Sequence, residues 1–174
     1  MPDEHAIIKN IVIKAMEKFI TKDMDLLHLD ANERSMTHKF AQYVEESVKE
    51  SSYSEYSVDC EYNRTGCNPD NWQKKLENLN SELGNISAND DEASTVFPDI
   101  IVHIRKDKNS NLLIIEAKKD ATRGGNRENI DRKKLKLYKE ELSYRYAFFI
   151  TFPVALLRGK CISDINCEEL VVEI

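Results

Sequence analysis

Two apolar runs, Asp99 to Ile104 and Leu112 to Ala117, are separated by the polar stretch Arg-Lys-Asp-Lys-Asn-Ser-Asn. Nothing else in the sequence constrains the fold as strongly. Continuous Ile, Val and Leu in both runs is the pattern of strands covered on two faces rather than one. The linker is short enough to turn them into an antiparallel hairpin. Such a hairpin needs a helical layer on each side, and the flanking sequence supplies the helices.

Ile8, Ile11, Val12, Ala15 and Phe19 recur at helical spacing and predict a helix over about 5–21. A polar stretch, Thr21 to Asp30, follows. The next helix runs from about Ala31 to Lys49 on a stripe of Thr37, Phe40, Ala41, Val44 and Val48. Glu33 lies four residues before Thr37, so it falls on the core-facing side of the helix start. Asp30 and Asn32 are both candidate caps, and Asp30-x-x-Glu33 matches a capping box that would give Glu33 a purely local role.

Tyr56 to Tyr62 alternates as a half-buried strand, with Asp59 and Glu61 on the side expected to face solvent. Residues 70–84 read as a helix anchored by Trp72, and 85–95 as a polar loop. After the hairpin come a basic loop with Gly124-Gly125, a helix from about Glu128 to Leu142, a buried strand from Tyr146 to Phe152, and an edge strand from Glu169 to Ile174. Strands mixed with helices on both sides give an α/β (α+β) class, a central mixed sheet flanked by helices. The 174 residues suit one domain, with 1–30 as an N-terminal helical extension and a core over about 31–153.

No apolar stretch reaches the roughly 18 residues of a spanning helix. The start Met-Pro-Asp-Glu has no basic n-region, so a cytoplasmic location and no membrane partner are expected. Cys60, Cys67, Cys161 and Cys167 lack the spacing of a zinc site and are expected as free thiols. Net charge is -6, yet Lys118 to Lys139 holds nine Lys or Arg against three Asp or Glu. A basic segment in an acidic chain is either a phosphate-binding face or a solvated helix face. Arg123, Arg127 and Lys134 within it, and Arg64 outside it, are candidate nucleic-acid contacts. Arg64 equally suits a pair with Glu61. His38 and His103 receive no role, and Gly124-Gly125 lacks the pattern of a phosphate loop.

Glu116 and Lys118 end their strand two residues apart, on one face and roughly 6.5–7 Å from each other. Asp99 opens the neighbouring strand, directly after a proline, which is tolerated there. A hairpin folded about residues 107–109 sets Asp99 opposite the Glu116–Lys118 end. Two converging carboxylates form a hard oxygen site for Mg²⁺ or Mn²⁺, and an adjacent lysine can neutralise charge on a phosphate. A salt bridge at a strand end is the competing reading.

The string Phe97-Pro98-Asp99, sixteen residues, then Glu116-Ala117-Lys118, resembles the PD-(D/E)XK signature of the restriction-endonuclease-like superfamily. The runs Asn32 to Lys39 and Val58 to Arg64 are similar to those of small bacterial proteins of this type. The resemblance spans roughly Glu33 to Phe152. It implies a restriction-endonuclease-like fold and metal-dependent hydrolysis of phosphodiester bonds, in DNA before RNA. Asp99, Glu116 and the Ala117 carbonyl would hold the metal and Lys118 would be the catalytic lysine. Glu33 would be a further ligand or ligand-orienting acid, and Lys134 a basic residue of the following helix used by some members. A lone domain of this size has little recognition surface, so a homodimer or a protein partner is expected beside nucleic acid. The alternative is a catalytically weak or inactive binding or regulatory subunit acting through a protein partner.

Overall fold

Side chains alternate across the central strands, and each face has its own helical cover. In the computed structural model, which describes residues 3–64, 97–120, 126–157 and 162–174, five strands form one mixed sheet. In chain order the elements are α1 (Glu4–Lys22), α2 (Met24–His28), α3 (Glu33–Lys49), β1 (Ser57–Cys60), β2 (Ile100–His103), β3 (Asn111–Lys119), α4 (Asn126–Leu142), β4 (Tyr146–Phe152), a 3-10 turn (Ile162–Asp164), α5 (Cys167–Leu170) and β5 (Val171–Glu173). The sheet order is β1-β2-β3-β4-β5. β3 and β4 are parallel, and the other neighbours are antiparallel. The parallel pair requires a crossover, and α4 is the helix that makes it. The mixed α/β class expected from the sequence is the class observed.

On one face Ile100, Val102, Leu113, Ile115, Ala117, Phe148, Ile150 and Phe152 pack against α1 and α3. The centre of this layer is an aromatic cluster, with Phe19 to Phe152 at 5.2 Å and Phe40 to Phe152 at 6.0 Å between ring centroids. Helix α1 lies in the stretch read as an extension, yet it lays Ile8, Ile11, Val12, Ala15, Met16, Phe19 and Ile20 in this core. On the other face Ile101, Ile114, Ala147 and Phe149 meet Leu135, Leu137 and Tyr138 of α4. The Arg132 guanidinium stacks over the Phe149 ring, 4.7 Å from its centroid. Two periods of alternation therefore place Glu116 and Lys118, in phase with Ile114, beneath α4.

Four details differ from the sequence reading. The polar stretch after α1 contains the helical turn α2, which buries Leu27. The first strand stops at Cys60 because Glu61 adopts a positive φ of 48°, which breaks the extended run. The final segment is strand only over Val171–Glu173, because the Asn166 side chain caps the one-turn helix before it. The capping box does not form. Asp30 sits in the left-handed region at φ 51°, and it is Asn32 whose side chain accepts from Arg34 N at 2.8 Å. Replacing Asn32 by Ala is expected to cost about 0.5–2 kcal/mol, read as a lower thermal midpoint. The same change at Asp30 leaves that cap bond intact.

The expected helix over 70–84 with Trp72, the loop over 85–95, and Gly124-Gly125 lie outside the described residues. Among the described residues no helix is long and apolar enough to cross a membrane.

Candidate active site

The hairpin register brings the two motif carboxylates together. Ile100 pairs with Ile115, so the next step along each strand sets Asp99 beside Glu116. Asp99 Oδ2 accepts from the Ala117 amide at 2.8 Å, which fixes the carboxylate at the strand end. The Asp99 charge acts directly on the Glu116 carboxyl. Lys118 comes next on the same face, paired in register with Thr151 of β4.

Helix α3 supplies the third acid. Glu33 Oε1 accepts from Lys118 Nζ at 3.1 Å, and Oε2 from the Lys119 amide at 3.1 Å. Both oxygens of Glu33 are thus engaged with the end of β3. Its core-facing position was legible from the stripe; its partner strand was not. Lys119 in turn pairs with Asp30 at 2.7 Å, so the turn before α3 is tied to β3 as well.

The sequence reading missed Asp131. This carboxylate is only 6% exposed, lies 3.8 Å from Lys118 Nζ and pairs with Lys134 at 3.4 Å. A signal was present, because Asp131, Leu135, Tyr138 and Leu142 fall on one helical stripe and a carboxylate heads an apolar row. Tyr138, also missed, is buried beside Glu116, and burial first, then the Glu116 charge, push its phenol well up. Lys134 reaches the site through its pair with Asp131 and its charge on Glu116. Arg64 is exposed, and Glu61 meets the guanidinium of Arg34 at 2.8 Å. Arg123 and the side chain of Arg127 lie outside the described residues.

No protein-family model, curated protein or solved structure matches this chain.

Burial pushes the Glu116 carboxyl well above the usual carboxylate range, and the neighbouring Asp99 charge adds to the rise. Asp99 is raised too, again by burial first, against the pull of the Ala117 amide and Lys118. Burial alone would lower Lys118, but Asp99 and the Glu33 hydrogen bond outweigh it and hold the ammonium above its ordinary value. Lys118 is therefore a cation at neutral pH and cannot serve as a base. Two crowded carboxyls, both resisting ionisation, form a donor pair that a hard dication would relieve. Among the described residues no three His, Cys, Asp or Glu side chains close into a cage. The donor set fits an ion such as Mg²⁺, which binds through one or two carboxylates and keeps several waters.

Among the described residues most of the basic segment is engaged within the chain. Lys118, Lys119 and Lys134 pair with acids, Arg132 covers Phe149, and Lys139 donates to the Ile174 carbonyl at 2.9 Å. Lys133 and Lys136 are exposed on α4.

Asp59, expected to be solvated, is only 14% exposed and is bound by Arg105 and by His103 at 2.9 Å. Burial raises its carboxyl, but the hydrogen bonds from Arg105 and His103 prevail and hold it below its ordinary 3.8. A depressed carboxyl contributes stability above its unfolded pKa and loses it as pH falls through the folded value. Asp59→Asn is thus expected to lower stability by about 1.5–3 kcal/mol at pH 7. Below pH 3.8 the difference from wild type should shrink, as read by urea unfolding across pH. A constant difference down to acid would disprove the ion-pair account.

The thiols of Cys60 and Cys167 are free, with Cys60 pushed up to about 11 by burial and then by Asp59 and Asp99. Such a thiol is a poor nucleophile and a poor metal ligand. Cys67 and Cys161 lie outside the described residues.

Proposed function

We propose that the chain is a divalent-metal-dependent nuclease of the PD-(D/E)XK type, with a restriction-endonuclease-like core, hydrolysing phosphodiester bonds in DNA before RNA. One observation carries the reading. Asp99, Glu116 and Lys118 meet on one face where β2 and β3 adjoin, with Lys118 held by acids from two different helices.

Asp99 and Glu116, with the Ala117 carbonyl, would hold Mg²⁺ or Mn²⁺. When bound, the ion supplies Lewis-acid polarisation of the phosphate. The chain's own residues do the rest. Lys118, kept protonated, neutralises negative charge building on the phosphoryl oxygens. Glu33 and Asp131 fix the ammonium between them, so its position is set before substrate arrives. Glu33, with both oxygens occupied by nitrogen donors, acts as the orienting acid and leaves the metal to the other two carboxylates.

The test is cleavage of supercoiled plasmid, linear duplex and single strands with Mg²⁺, Mn²⁺ or EDTA. Cleavage is expected with either metal and is expected to vanish in EDTA. Folded protein that cuts none of these substrates would overturn the nuclease reading in favour of a non-catalytic subunit working through a protein partner.

A further inference from the structure

A groove of about 750 Å³ opens beside the site and shares Asp99 and Glu33 with it. Its size matches pockets that enclose a small molecule, roughly 300–1,000 Å³. That volume suits a nucleoside, not a stretch of paired helix. The charges of its walls decide what it accepts. Among the described lining residues the acids are Asp23, Glu33, Glu61 and Asp99, against the cations Arg34 and Lys39. The cations are already engaged, Arg34 with Glu61 at 2.8 Å and Lys39 with Asp23 at 3.9 Å. A phosphate gains nothing in such a space. A neutral heterocycle with donors and acceptors on its edge finds partners of both kinds, and Leu26 and Cys60 give it an apolar wall.

We propose that this groove receives an unpaired nucleobase of the strand whose phosphodiester lies at Asp99 and Lys118. The proposal deepens the nuclease reading and rests on it for the nature of the polymer. In a duplex the bases are inside the stack, so the groove favours single strands, bubbles and mismatches, where unstacking costs least.

Binding is measured in EDTA, without cleavage, on oligonucleotides carrying 2-aminopurine in single-stranded, bubble and fully paired form, as DNA and as RNA. The unpaired forms of at least one polymer are expected to bind about tenfold tighter than its paired form. Because the base is neutral, that ratio should persist as salt weakens all binding. Ser35 and His38 line the groove and are exposed. Ser35→Trp and His38→Trp, each checked for an unchanged thermal midpoint, are expected to fill the groove and reduce the preference to parity. Equal affinity for paired and unpaired forms, or a preference that survives both substitutions, overturns the proposal. Preferential binding without cleavage under any metal would keep the groove assignment and sink the nuclease reading alone. Cleavage with no preference would do the reverse.

Discussion

Lys118→Ala is expected to lower metal-dependent cleavage by about 10²–10³-fold while leaving the fold intact. Removing one preorganised group that meets developing charge costs that much in other hydrolytic sites. The side chain is about a quarter exposed, and its partners Glu33 and Asp131 keep other nitrogen donors, the Lys119 amide and Lys134. Truncation therefore leaves neither acid stranded. Lys118→Arg keeps the charge but not the shape, because a planar fork cannot occupy a point position between two acids; its activity should stay well below wild type. Single-turnover cleavage of plasmid at saturating Mg²⁺ reads the chemical step. A Lys118→Ala protein that cuts at the wild-type rate would show that the lysine is only a strand-end ion pair.

Asp131→Asn separates positioning from chemistry in the same assay. The amide keeps the shape and loses the charge that faces Lys118 at 3.8 Å. Its expected effect is smaller than that of Lys118→Ala, and the two losses should not add, because the aspartate acts through the lysine.

The pairing of Asp99 with Glu116 was legible because strand geometry is a strict period of two, and a short linker leaves few registers for a buried hairpin. Tyr146–Phe152 was legible to the residue for a related reason: its seven residues are an unbroken run that only a covered strand accommodates. Glu33 was half legible. Helical spacing put it on the inner face, but the capping box offered it a local partner of equal merit, and only tertiary packing of α3 on β3 decides between them. Asp131 was hidden because the sequence shows it as one acid in a segment crowded with lysine and arginine. Asp59 was misplaced because alternation says which face a side chain takes, not whether His103 and Arg105 close over that face.

Glu116→Gln is expected to make the protein more stable and inactive at once. Glu116 is 5% exposed, faces Asp99 and carries a carboxyl raised well above 4.5 by burial. A group raised in the folded state favours folding while protonated. That contribution is full below the unfolded value and is lost as pH rises through the folded one. Wild-type stability in EDTA should therefore decline from pH 5 toward pH 8, while the glutamine variant, with no proton to lose there, declines less. At pH 8 the variant should be the more stable by about 1–3 kcal/mol, which corresponds to several degrees in the thermal midpoint. Mg²⁺ reverses the order of effects. It should raise the wild-type midpoint, because a ligand that binds only the folded state stabilises it by mass action, and should barely move the variant. Cleavage by Glu116→Gln should fall by at least about 10²-fold. Stability traded against activity at one buried side chain is what a site built for function, not for folding, leaves behind. A variant less stable than wild type in EDTA at pH 8 would instead make Glu116 a structural part of the core beside Tyr138, with no charge held in reserve for a metal.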